Sequence, residues 1–181
     1  KIHNMFTVNI INPIGFSPEN MVKVNEAQKA IQNVFNSDEF KKAVLDFTFD
    51  GDKTFFYRRS IFGNSIDHRY TNQQIYDMLL MASEQPGDLT SSSMDLYLVL
   101  LQEVNSRVVG YGNPGSKEIY TYRNWFETFS VAEYAGHITH EWTHKLGFDH
   151  SVHYNRKRKY SVPYAIGDII EAFIENIQLG H

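Results

Sequence analysis

The segment His140-Glu141-Trp142-Thr143-His144-Lys145-Leu146-Gly147-Phe148-Asp149-His150 constrains this chain more than any other, because its spacing demands a helix followed at once by a turn. Residues four apart lie about 40° apart around a helix of 3.6 residues per turn. His140 and His144 therefore point the same way. Glu141 is offset by about 100° from His140 and about 60° from His144, close enough to hold a water at a metal ion without being a ligand itself. Gly147 lets the chain leave the helix, since the left-handed residue just past a helix end is most easily glycine. His150 can then return to the same point from another direction. Three neutral imidazoles around one zinc ion leave a fourth tetrahedral position for water, as a catalytic rather than a structural site requires.

The residues before this segment agree with a helix. Ser130 and Glu133 form an S-x-x-E capping box at its start. Val131, Ala135, Ile138, Trp142 and Leu146 recur at helical spacing on one face, bordered by Tyr134, and are expected to pack on the core. His140, Glu141 and His144 fall on the other side. His137 also projects there, one turn earlier, and reads as a supporting or exposed histidine because His150 already completes the trio.

The eleven residues fit H-E-x-x-H-x-x-G-x-x-H and resemble the zinc signature of the metzincin clan of metallopeptidases. The resemblance implies zinc ligation by His140, His144 and His150, with Glu141 as general base and acid. Ser151, directly after the third histidine, is similar to the matrix metalloproteinase form of the motif. Metzincins carry a methionine in a tight turn beneath the metal. Here all five methionines precede the zinc helix, and Ser161-Val162-Pro163-Tyr164 takes that place with Pro163 where methionine would stand. Proline still favours a turn entering a helix. By analogy with a tyrosine after that turn, Tyr164 is expected to take part in catalysis by a hydrogen bond to the oxyanion; a buried aromatic closing the turn explains it as well.

A second resemblance runs through Gly147-Phe148-Asp149-His150, which is close to the G-Y-D-H ending of bacterial endoribonucleases that mature ribosomal RNA with three zinc-binding histidines. Those enzymes usually have glycine where this chain has Glu141. A formal net charge of −4 gives no general attraction to phosphate backbones, so no nucleic-acid partner is expected. The basic run Arg156-Lys157-Arg158-Lys159 reads as a solvated loop. A zinc-binding domain without catalysis is the third reading, kept open by the absent methionine.

The 181 residues suffice for one catalytic domain, with 1–146 as an N-terminal subdomain and 147–181 as a small C-terminal one. At 42% hydrophobic and 14% aromatic the chain has the apolar content for a packed core. No apolar run reaches about 18 residues, so no membrane span is expected. The chain begins at Lys1, which suggests a trimmed piece of a longer precursor, and its lack of cysteine fits an enzyme secreted by a bacterium or held in its cell envelope and equally a cytosolic one; a monomer is expected.

Other elements follow from pattern and punctuation. Phe6 to Ile11 reads as a strand, Ser17-Pro18 opens a helix running to about Phe35, and Asn36-Ser37-Asp38 caps another. Asp50-Gly51-Asp52 is a plausible hairpin turn between Phe47-Phe49 and Thr54-Tyr57. Thr71 and Gln74 box the start of a helix that ends before Pro86-Gly87, and Thr90 to Ser93 is a loop. Met94 to Leu101 is an apolar run expected to be buried on both faces. Val108 to Tyr111 and Glu118 to Tyr122 are strands, and a last amphipathic helix spans about Tyr164 to Gln178. Together they predict an α+β domain resembling the metzincin zinc-peptidase fold, a twisted mixed sheet with packed helices including the zinc helix and a short C-terminal helical part.

The expected function is a zinc-dependent metalloendopeptidase, with one catalytic Zn²⁺ lowering the pKa of its water towards about 7. Glu141 takes the proton and later returns it to the leaving amine. A protein or peptide substrate is expected to bind extended along an exposed strand edge, for which Val108 to Tyr111 is the candidate. The loop between His150 and Ser161 is expected to shape the pocket just beyond the scissile bond, and its basic residues to favour an acidic side chain there. Asp149 is a candidate to orient a ligand histidine, or else to stabilise its own loop.

Overall fold

The computed structural model describes residues 5–49, 57–61, 64–68, 70–84, 92–113 and 115–178. The hairpin turn expected at Asp50-Gly51-Asp52 and the stop at Pro86-Gly87 lie outside them. The described residues form an α+β structure with a small mixed sheet and six α-helices. None of these helices is long and apolar enough to cross a membrane.

The main sheet has the order β1-β4-β6-β5. Strand β1 (Thr7–Ile10) runs parallel to β4 (Ser93–Leu101), β4 parallel to β6 (Glu118–Tyr122), and β5 (Gly110–Gly112) antiparallel to β6. Parallel neighbours need long crossovers. The first of these carries helix α1 (Pro18–Phe35), capped where expected by the Ser17 side chain on the Asn20 amide. Along β4, Met94, Leu96, Leu98 and Leu100 are buried while the residues between them are half-buried. One face of the strand therefore meets the closed core and the other is only partly covered, instead of both being sealed as the apolar run suggested.

Helix α2 (Asp38–Leu45) begins at Ser37, and α3 (Asn72–Met81) at Thr71 with both halves of its capping box formed. A short α4 (Arg123–Thr128), unforeseen in the sequence, follows β6. A second sheet, order β3-β2-β7, pairs β2 (Tyr57–Ile61) antiparallel with both β3 (Asn64–His68) and β7 (Phe148–Asp149).

Helix α5 (Val131–Lys145) lies across α1 and against the last helix, α6 (Val162–Gln178). The expected stripe faces inward: Ala135, Ile138 and Trp142 are fully buried. Trp142 meets Phe35 and Phe6 edge-on, at centroid distances of 6.0 and 6.4 Å, and Phe6 stacks on Phe35 at 4.8 Å. Such pairs contribute about 0.5–1.5 kcal/mol each beyond the area they bury. They fix the rotation of α5, and so the direction of its opposite face.

Candidate metal centre

Three features hold the site in place. Ser130 Oγ accepts from the Glu133 amide and Glu133 Oε1 from the Ser130 amide, each at 3.1 Å, so α5 starts at the expected box. At the far end Gly147 has φ of 96°, and its amide donates to the His144 carbonyl at 3.0 Å. The chain then enters β7, whose pairing with β2 sets Phe148 opposite Arg59 and Asp149 opposite Arg58. His150 follows directly, turned back toward the helix.

The ring centroids of His140 and His144 are 5.2 Å apart, those of His140 and His150 5.2 Å, and those of His144 and His150 5.0 Å. Each offers a nitrogen, and the three lie within 4.8 Å of one another. A carbonyl oxygen can only accept, which determines the tautomers. His144 Nδ1 donates to the Phe148 carbonyl at 2.8 Å, and His150 Nδ1 to the Ser151 carbonyl at 3.0 Å. Both rings thus keep the Nε2 lone pair for an ion, with the ring turned by a second partner. Burial drives the His144 pKa down to about 4, helped by His150 and opposed by the Phe148 carbonyl and Asp149. Burial also pushes His140 well below its ordinary value, with the neighbouring His144, His150, His137 and Arg158 adding to the effect. Neutral imidazoles of this kind are the donor set zinc prefers, and the three histidines fit a zinc-binding site.

Glu141 stands beside them, with Oε1 3.9 Å from His140 Nε2. Burial raises its pKa to about 7, against the opposing effect of a hydrogen bond from the Gly112 amide. Tyr164, in the first turn of α6, lies under the group: its ring centroid is 4.5 Å from that of His140 and 4.7 Å from that of His150. Arg158 Nη2 donates to Tyr164 Oη at 2.6 Å. Arginine cannot accept, so the tyrosine hydroxyl keeps its own proton to donate.

Several expectations are refined. Helix α6 starts at Val162 rather than Tyr164, with Ser161 extended before it and Pro163 in the first turn, where a missing amide hydrogen costs nothing. The orienting partner of His144 is the Phe148 carbonyl. Asp149 Oδ1 stands 3.9 Å from His144 Nδ1 and accepts instead from the His150 amide at 2.8 Å. His137 is outside the trio; its Nε2 lies 2.9 Å from Thr121 Oγ1.

The group opens into a cleft of about 500 Å³, lined by Val108 to Gly110 on one side and by His137, Glu141, Tyr154, Arg158 and Tyr164 among others. The edge strand is β5 (Gly110–Gly112), two residues later than expected; Val108 precedes it and is 56% exposed. Arg158 and the Gly112 amide are functional candidates that the sequence did not single out. Within the basic run, Arg156, Lys157 and Lys159 are exposed as expected, but Arg158 is half-buried against Tyr164. No local pattern in the run sets Arg158 apart from its neighbours. Comparisons with protein-family models, with curated proteins and with solved structures found no match to this chain.

Proposed function

We propose that this chain is a zinc-dependent metalloendopeptidase of metzincin-like build. Glu141 carries the reading: a carboxylate next to three convergent histidines, 3.9 Å from His140 Nε2, with its pKa raised to about 7 by burial, suits both taking and returning a proton near neutrality. The metzincin-like assignment is supported by the order of helix, left-handed Gly147, third histidine and a turn leading to Tyr164, and by an antiparallel edge strand beside the helix.

His140, His144 and His150 would hold the zinc ion. When bound, that ion supplies a Lewis acid that brings water towards a pKa of about 7 and polarises the scissile carbonyl. Glu141 accepts the proton of the attacking water and passes it to the leaving amine. Tyr164, with Oη steadied by Arg158, donates a hydrogen bond to the oxyanion as it forms. The substrate's main chain lies extended along the free side of β5, in register with the cleft.

The test is an assay of zinc-loaded wild type and Glu141→Ala on a casein-type substrate and on structured RNA. Proteolysis that falls by about 10²–10⁴-fold in the variant, with one zinc still bound per chain, is the expected result. Cleavage of RNA, or zinc binding with no hydrolysis of either, would overturn the proposal.

A further inference from the structure

Of the four consecutive basic residues, Arg158 alone turns away from solvent. Its guanidinium carbon lies 4.2 Å from the ring centroid of Tyr154 and 5.0 Å from that of Tyr164. One nitrogen, Nη2, is bonded to Tyr164 Oη, while Nε and Nη1 are buried without any hydrogen-bond partner. None of the salt bridges among the described residues involves it. Glu133, Asp168 and Glu171 line the same cleft but are not paired with it. Arginine cannot shed its charge, and a buried charged donor without an acceptor is costly. An arginine held in that state beside a candidate reaction centre has donors to spare for an anion.

We infer that Arg158 anchors a carboxylate of the substrate next to the scissile bond. The substrate class rests on the peptidase reading: peptides with Asp or Glu at that position, or peptides that end there in a free carboxylate. Tyr164 takes one Nη2 hydrogen and Tyr154 covers a face of the guanidinium, so an arriving carboxylate meets a preset edge made of the second Nη2 hydrogen and whichever of Nε–H or Nη1–H shares its side. Tyr154 is 95% exposed, rests on the guanidinium face and lines the same cleft as Arg158, so the ring that fixes the guanidinium plane stands at the solvent-facing end of the cleft.

The test uses the zinc-loaded chain and peptides identical except for Glu, Gln or Lys on either side of the cleaved bond, with further pairs ending in a carboxylate or an amide. Cleavage is measured as kcat/KM, and binding by fluorescence anisotropy on Glu141→Gln, each with and without Arg158→Gln or Arg158→Lys. Zinc content of every variant reports that the site has folded. The expected result is a preference of about tenfold or more for the acidic peptide, the size of one charge-assisted hydrogen bond, abolished in Arg158→Gln and partly restored by Arg158→Lys. A preference confined to internal Glu assigns the pocket to a side chain, and one confined to the free C-terminus assigns it to the chain end. Equal binding of Glu, Gln and Lys peptides, and of acid and amide ends, overturns the inference whether or not cleavage occurs. Acid-selective binding lost with Arg158 but no cleavage by the wild type keeps the anion pocket and overturns the peptidase reading instead.

Discussion

Gly136 of α5 and Gly167 of α6 lie against each other where the helices cross: a Cβ on either would stand 2.9 Å from the other's carbonyl oxygen. A Cβ on Gly167 would also come within 3.2 Å of His140 Cβ. This close approach brings Tyr164, one turn before Gly167, up to the histidines. Gly167→Ala should push the helices apart and cost about 1–3 kcal/mol, the usual effect of an added methyl in a full interface. A lowered urea midpoint with an unchanged slope, together with weaker zinc binding, is the expected outcome. Full stability and full zinc affinity would show that the crossing has slack.

Gly147 links the helix to the third histidine through its φ of 96°. The same turn sets the Phe148 carbonyl on His144 Nδ1. Gly147→Val therefore disturbs two ligands at once and should lower zinc affinity by more than tenfold in competition with a chromophoric chelator. Gly147→Asn, which tolerates the left-handed region, should lose far less. Equal affinities for the two variants would rule out backbone geometry as the cause.

What the sequence revealed was local. The cap at Ser130, the stripe through Trp142 and the stop at Gly147 each act within one or two turns of α5, so neighbours in the chain sufficed to read them. Strands β2 and β3 went unread because Tyr57-Arg58-Arg59-Ser60-Ile61 shows no alternation; what keeps β2 extended is its ladder with β3 over all five residues and with β7, some ninety residues on, over two. The edge strand shifted from Val108 to Gly110 because its register comes from β6, which pairs glycines that strand propensity disfavours. Arg158 looked like one more solvated charge, since only the return of α6 brings Tyr164 beneath the histidines and draws it inward.

Glu84 ties α5 to the loop after α3. Its Oε1 accepts from Trp142 Nε1 at 3.1 Å, and its Oε2 lies 3.1 Å from the ammonium of Lys145, a side chain only 2% exposed. Removing Glu84 takes the carboxylate from a buried ammonium that keeps a hydrogen bond to the Asp95 carbonyl at 3.2 Å, so Glu84→Ala should cost at most about 3–5 kcal/mol. Replacing Lys145 by Met in the same chain should recover most of that loss. A double-mutant cycle by denaturant unfolding measures it; additive losses would mean that the pair is not coupled.

Buried histidines and Glu141 pull the pH dependence of the zinc-free protein in opposite directions, since burial raises Glu141 to about 7 and the folded chain there takes up a proton that the unfolded chain does not. His137 is packed near the Phe129 and Tyr134 rings, with centroids at 6.0 and 6.3 Å, and burial lowers its pKa from 6.5 to about 4. Between those values the unfolded chain binds a proton that the folded chain refuses, so stability rises with pH across that window. The contribution is complete above about 6.5, and as pH falls to about 4 the loss from His137 approaches about 3 kcal/mol, less whatever its partly exposed edge screens. His144, lowered to about 4 chiefly by burial, steepens the same slope in the absence of metal. Glu141 opposes the histidines alike in the wild type and in His137→Gln, so the difference between the two isolates His137: the variant should gain in unfolding free energy relative to the wild type as pH falls from 7.5 to 4.5. Bound zinc should flatten the share that belongs to His144 and leave that of His137 in place, because His137 lies outside the three-histidine group. An equal slope in wild type and His137→Gln would remove His137 as the source.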